Sequence, residues 1–103
     1  KISEIIYMKK IKKLSMFTER VLNIVSGIKK GKTMTYKEVA TRAGSPGASR
    51  AVGSIMKGNY REGIPCHRVI RSDGVIGEYN RGGPSEKYKK LKKEGAFKNI
   101  VLK

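Results

Sequence analysis

The stretch MTYKEVATRAGSPGASRAVGSIMKGN, from Met34 to Asn59, constrains the fold most tightly, because it carries two sets of helix start and stop signals back to back. Thr35 and Glu38 stand at capping-box spacing, so each side chain can satisfy the other residue's backbone N–H. Tyr36, Val39, Ala40 and Ala43 then fall on one helical face, and Gly44 closes the helix. Ser45 is expected to cap a second helix, with Pro46 at its first position and Gly58 as its terminator. On that second helix Ala48, Ala51, Val52 and Ile55 cluster toward the core, while Arg50, Gly53, Ser54 and Lys57 occupy the opposite side. Two short helices joined by a tight turn form a helix-turn-helix.

The rest of the chain adds less. Its 103 residues are enough for one domain with a modest core. Phe17, Val21, Ile24, Val25 and Ile28 recur at helical spacing, with Thr18 as N-cap and Gly31 as stop. Residues 1–16 form a basic lead-in, for which strand and short helix both stay open. From Ile64 the pattern becomes short and apolar, with Asp73-Gly74 as a turn. A basic helix is expected from about Ser85 to Glu94, ended by Gly95, and an apolar tail follows from Phe97 to Leu102. The fold class is therefore mainly α with short strands. No apolar run is long enough to span a bilayer, and the N-terminus lacks a signal-peptide pattern.

Charge narrows the partners. With 24 Lys+Arg against 8 Asp+Glu, the formal net charge is +16, which favours phosphate contact and points to nucleic acid. Solubility alone is the plainer explanation of the same excess. An anionic membrane ranks third, because no long basic amphipathic helix stands out.

GIPCHRVI, Gly63 to Ile70, holds the single cysteine and the single histidine of the chain side by side. One Cys and one His cannot build a tetrahedral metal site, so no metal and no cofactor are expected, and a free thiol fits a reducing compartment. A lone cysteine is most often a small buried hydrophobe. As a nucleophile it needs help, since a thiol of ordinary pKa, about 8.5, is only a few per cent ionised at neutral pH. His67 could serve as base and a carboxylate could orient it. On extended backbone, however, neighbouring side chains point to opposite faces, so a bent backbone or a bridging water is required.

At IPCHRV the chain resembles the C-terminal, active domain of O6-alkylguanine-DNA alkyltransferases. The likeness runs from Phe17 to Glu94 and includes FTERVL, MTYKEVATRAG, ASRAVGSIMKGN, DGVIGEYNRGG and KEG in order. It implies a winged-helix-like helix-turn-helix domain over residues 17–103, with the lead-in standing where the family's N-terminal domain usually lies. It also implies single-turnover transfer of an alkyl group from guanine O6 to Cys66. In that scheme His67 takes the thiol proton through a water, Glu94 orients the imidazole, Tyr36 donates to the base, and Asn59 braces the helix-turn-helix against the active-site segment. Met56, the Val69 backbone, Tyr79 and the backbone at Asn80 wall the pocket.

Arg50 would enter the duplex where the flipped nucleotide had been, with Gly53, Ser54 and Lys57 along the minor groove. The implied partner is double-stranded DNA carrying a flipped O6-alkylguanine. The protein is expected to act as a monomer, away from membranes, in the cytoplasm at the nucleoid, or in the nucleus of a eukaryote. Arg68 is read as an internal ion-pair anchor rather than a DNA contact.

Two loops depart from the family pattern. YREGIP between Asn59 and Cys66 is shorter than in many relatives, and YNRGG carries an extra Arg81. Both border the pocket, so they bear on which alkyl groups fit. Two rivals remain at this level. Alkyltransferase-like proteins bind the lesion and flag it, typically with tryptophan where this chain has Cys66. A helix-turn-helix regulator would instead prefer a sequence over a lesion.

Overall fold

The computed structural model describes residues 2–96, so the apolar tail lies outside the described residues. The lead-in and the helix expected from Phe17 are one element, α1 (Ile2–Ser26). Nothing in the lead-in stops a helix: it is built of Lys, Ile, Met and Leu, with no Gly or Pro. Thr18 is therefore not an N-cap. Its hydroxyl donates to the Leu14 carbonyl at 2.9 Å, a back-bond that lets Thr sit inside a helix. The stop also comes before Gly31, at Ser26. The two halves of α1 differ in burial. Val21, Leu22 and Val25 are in the core, whereas Tyr7, Ile11 and Leu14 are exposed. The arm makes the molecule long, 53 × 24 × 24 Å.

The next elements are β1 (Met34–Thr35) and α2 (Tyr36–Arg42). The capping box forms as expected, with Glu38 N–H donating to Thr35 Oγ1 at 3.0 Å and Thr35 N–H donating to Glu38 Oε1 at 3.2 Å. Gly44, at φ 91°, reverses the chain, while its N–H and that of Ser45 bond back to Thr41 and Ala40. The second helix, α3 (Ser49–Gly58), starts later than the pattern implied. Ser45-Pro46-Gly47 is a turn, closed by Ala48 N–H on the Ser45 carbonyl at 2.9 Å, so Ser45 caps nothing and Pro46 sits in the turn position it prefers. The buried side of α3 is also rotated: Val52 and Met56 are buried, Ala48 and Ile55 partly so, and Ala51 is exposed. The larger side chains win the core because burying them removes more apolar area from water.

After Pro65 the chain makes one 3₁₀ turn, Cys66–Arg68, then enters β2 (Val69–Ile70). β2 pairs in parallel with β1, Met34 opposite Val69 and Thr35 opposite Ile70. This pairing places Cys66 beside the start of α2. The last helix, α4 (Gly83–Lys93), ends as α2 does. Gly95, at φ 79°, turns left-handed, and Gly95 and Ala96 N–H bond back to Lys92 and Leu91. Glu94 thereby becomes the C-cap.

Candidate functional site

A cavity of about 850 Å³ opens between α3, the Cys66 turn and the 77–84 loop. Arg50, Gly53, Ser54, Met56 and Lys57 line it from α3, Tyr36 from α2, and Tyr79 and Asn80 from the loop. Cys66 stands in its wall with 5% of its surface exposed. The residues read as nucleophile, base donor, pocket wall and recognition face thus share one space. Val69 is the exception. It lies behind the cavity, fully buried in the strand pair, and is not among the lining residues.

The 3₁₀ turn at Cys66–Arg68 gives the bent backbone, one of the two alternatives for these neighbours. His67 reaches Glu94, its Nε2 3.0 Å from Glu94 Oε1. Glu94 also accepts from Arg68 Nε at 3.0 Å and Nη2 at 2.7 Å, while Arg68 Nη1 donates to the Ile28 carbonyl at 2.7 Å. These bonds hold the Glu94 carboxyl at about 2, chiefly through the Arg68 hydrogen bonds and further through His67, against a burial that pushes it up. A carboxylate at a helix C-terminus opposes the helix dipole, so the two cationic partners offset an unfavourable position. With Glu94 anionic, His67 carries its proton on Nε2 and leaves Nδ1 as acceptor. Burial, aided by the nearby charges of Arg68 and Lys90, lowers the imidazole pKa against the opposing pull of Glu94, so the ring is neutral at neutral pH. Arg68 is the internal anchor its position implied.

Asn59 is buried and donates from Nδ2 to Cys66 Sγ at 3.0 Å, while its Oδ1 accepts from Arg61 N–H at 3.2 Å. The last turn of α3 is thereby tied to the thiol. The Asn80 side chain ties it from the other side, with Nδ2 donating to the carbonyls of Met56, Lys57 and Asn59 at 3.2, 2.7 and 2.8 Å. Sequence reasoning had reached only the backbone of Asn80. Its side-chain role has no local signature, because the donor lies more than twenty residues from its acceptors.

Lys87 was missed as well. It is 1% exposed, and its ammonium donates to Tyr36 Oη at 3.3 Å and to the Glu78 carbonyl at 3.1 Å. Burial lowers its pKa to about 8, partly offset by the charge at Cys66. Since an ammonium only donates, the Tyr36 oxygen accepts from it and the phenol proton is free to point into the cavity. Burial, and then Glu78 and Cys66, raise the Tyr36 pKa, which keeps that proton in place. In a run of lysines at 87, 89, 90, 92 and 93, only periodicity could have singled out Lys87, which shares a face with Leu91.

Fold and cavity together define a small helix-turn-helix domain with a thiol set in the wall behind its second helix. The family model described as 6-O-methylguanine DNA methyltransferase, DNA binding domain, matches residues 16–96, and the chain belongs to that family. The chain is similar to the methylated-DNA–protein-cysteine methyltransferase of Mus musculus, 47% identical over 81 residues, which cover 77% of this chain and 38% of the mouse protein. It is similar in structure to Mycobacterium tuberculosis OGT in complex with DNA, with TM-score 0.72 and 38% identity over 79% of this chain and 49% of that one. Schizosaccharomyces pombe Atl1 in complex with damaged DNA containing O6-carboxymethylguanine matches with TM-score 0.69 and 36% identity, covering 77% of this chain and 75% of that one. The chain spans less than half the length of the methyltransferases it matches. The family match begins where α1 begins to be buried.

Among the described residues no helix is long and apolar enough to cross a membrane, and no group of metal-binding side chains is present.

Proposed function

We propose that this protein repairs DNA directly, moving the alkyl group of O6-alkylguanine in duplex DNA onto Cys66 in a single turnover. The observation that carries the reading is the shared cavity: the small-residue, cationic face of α3 and the thiol open onto the same space. A guanine inside the base stack cannot reach a sulfur in that wall, so the nucleotide must rotate out, at a cost of a few kcal/mol. Arg50, exposed on α3, takes its place in the stack. Gly53 and Ser54 let the helix approach the minor groove closely, and Lys57 adds phosphate attraction.

In the transfer itself, neutral His67 takes the thiol proton at Nδ1 through a bridging water. The sulfur forms a bond to the alkyl carbon as the carbon–O6 bond breaks, and that bond's electron pair leaves on the guanine. The purine then takes up the proton that the thiol gave up. Asn59 Nδ2 donates to the sulfur while it is anionic, and Tyr36 donates to the base as charge grows there. Glu94 fixes the imidazole, and Met56 and Tyr79 flank the alkyl group. The arrangement needs one DNA duplex and one protein monomer, with no metal or cofactor.

Mass spectrometry after incubation with a duplex containing O6-methylguanine tests the proposal. The expected result is one methyl group on a peptide containing Cys66, no transfer with Cys66→Ser, and retained DNA binding by that variant. The likeness to Atl1, of which the chain covers three-quarters, favours one second reading, a lesion-binding protein. Tight binding to the same duplex with Cys66 unmodified would establish that reading and overturn repair. Equal affinity for plain and alkylated duplexes would instead leave a helix-turn-helix regulator.

A further inference from the structure

Tyr79 is one wall of the cavity beside Cys66, and it is held at three points. Its carbonyl accepts from Gly83 N–H at 2.9 Å, which fixes the backbone. Its ring meets the His67 ring edge-on, with centroids 6.4 Å apart at 71°. Its hydroxyl accepts from Lys90 Nζ at 2.8 Å, and that ammonium lies 5.3 Å from the ring centroid. The first two contacts are a backbone hydrogen bond and a ring edge, but the third is a charge-assisted bond with a cation–π contact on the same ring. Lys90 is otherwise an exposed residue of α4, and its ammonium makes no direct contact with the groups of the transfer scheme apart from Tyr79.

Tyr79 is only 9% exposed, so its ring is packed into the cavity wall and cannot move without giving up contacts. A benzyl or other bulky group on guanine O6 takes more space beside Cys66 than a methyl group does, and a ring that swung aside to yield it would lose both contacts with Lys90. We infer that Lys90 is a specificity-determining residue that, by tethering the Tyr79 hydroxyl, restricts transfer to small alkyl groups. The inference deepens the repair reading and rests on it. It adds to that reading a selection rule that operates through the tether and not through the chemistry at sulfur.

The experiment measures second-order rates of transfer from duplexes carrying O6-methylguanine or O6-benzylguanine, for the full chain and its variants, and compares the benzyl-to-methyl ratio. The ratio is insensitive to the fraction of folded protein. Lys90→Met should raise it about tenfold, the effect of losing roughly one charged hydrogen bond. Tyr79→Phe, which keeps the ring and loses the tether, should raise it similarly. The double variant should raise it no further, because both changes remove one interaction. Lys90→Arg, which keeps a long cation, should stay near the wild-type ratio. An unchanged ratio in Lys90→Met overturns the inference, as does an equal rise in Lys90→Arg or a fully multiplicative double variant. Absence of any transfer by the wild-type chain is a separate outcome: it defeats the repair reading, and the selection rule with it.

Discussion

The two sides of the cavity are built by different means. On the α3 side, Arg50, Gly53, Ser54 and Lys57 sit within two turns of one helix and face solvent or the cavity. On the Cys66 side, the thiol depends on Asn59, and His67 and Arg68 meet Glu94 from more than twenty-five residues away. Under the proposed function, recognition falls to side chains set separately along one helix face. The proposed chemistry falls to a nearly enclosed polar network in which Asn59 bonds to Cys66 and Glu94 to His67 and Arg68. Surface charges can be changed one at a time, whereas a buried network loses more than the group removed, because its partners are left uncompensated.

The sharpest break of this contrast is Arg68→Met. It leaves the Glu94 carboxylate and the Ile28 carbonyl without their strongest donors, and about 3–5 kcal/mol of stability should be lost in urea unfolding. A loss under 1 kcal/mol would mean that the network is solvated and that the two sides do not differ in kind. Acid should act on the same element. The Glu94 carboxyl is held at about 2 in the folded state against an ordinary 4.5. Its contribution is therefore complete above about pH 4.5 and fades as pH falls toward 2. Unfolding free energies measured across that window should slope less in Glu94→Gln than in the wild type.

Asn80→Ala is expected to have an intermediate effect, since Asn80 belongs to both sides. Removing it frees three carbonyls at the end of α3 and should cost about 1–3 kcal/mol. DNA affinity should fall with stability, because the same turn presents Lys57. The smallest effect on stability belongs to Arg50→Ala, within about 0.5 kcal/mol, as for an exposed position without a structural partner. Its consequence should appear instead as slower transfer from duplex DNA, with transfer from the free base O6-methylguanine less affected. Equal loss on base and duplex would assign Arg50 to the fold and not to the DNA.

Legibility followed the same division. The capping box at Thr35 and Glu38 and the left-handed Gly44 and Gly95 were readable because both partners lie within one turn of chain. Periodicity gave α2 and α4 but misplaced the start and the buried side of α3. Ser45-Pro46 serves equally as a helix start or a turn, and small residues on several faces leave the stripe ambiguous. The lead-in could not be assigned because its Ile and Lys residues follow no single face, although no residue in it forbids a helix. Lys87 and the Asn80 side chain lay beyond sequence reasoning. A lysine among five and an asparagine in a loop look solvated until distant backbone closes over them.

The order of residues alone determined the helix-turn-helix, the adjacency of Cys66 and His67, and the large positive charge. Each of these depends on neighbours along the chain, on spacing or on a sum. Only the folded arrangement decided that Arg68 joins His67 on Glu94, that Asn59 donates to the sulfur, and that a buried lysine donates to Tyr36. Those facts depend on which distant groups lose water together. A desolvated polar group must find its partner wherever the fold brings one within reach.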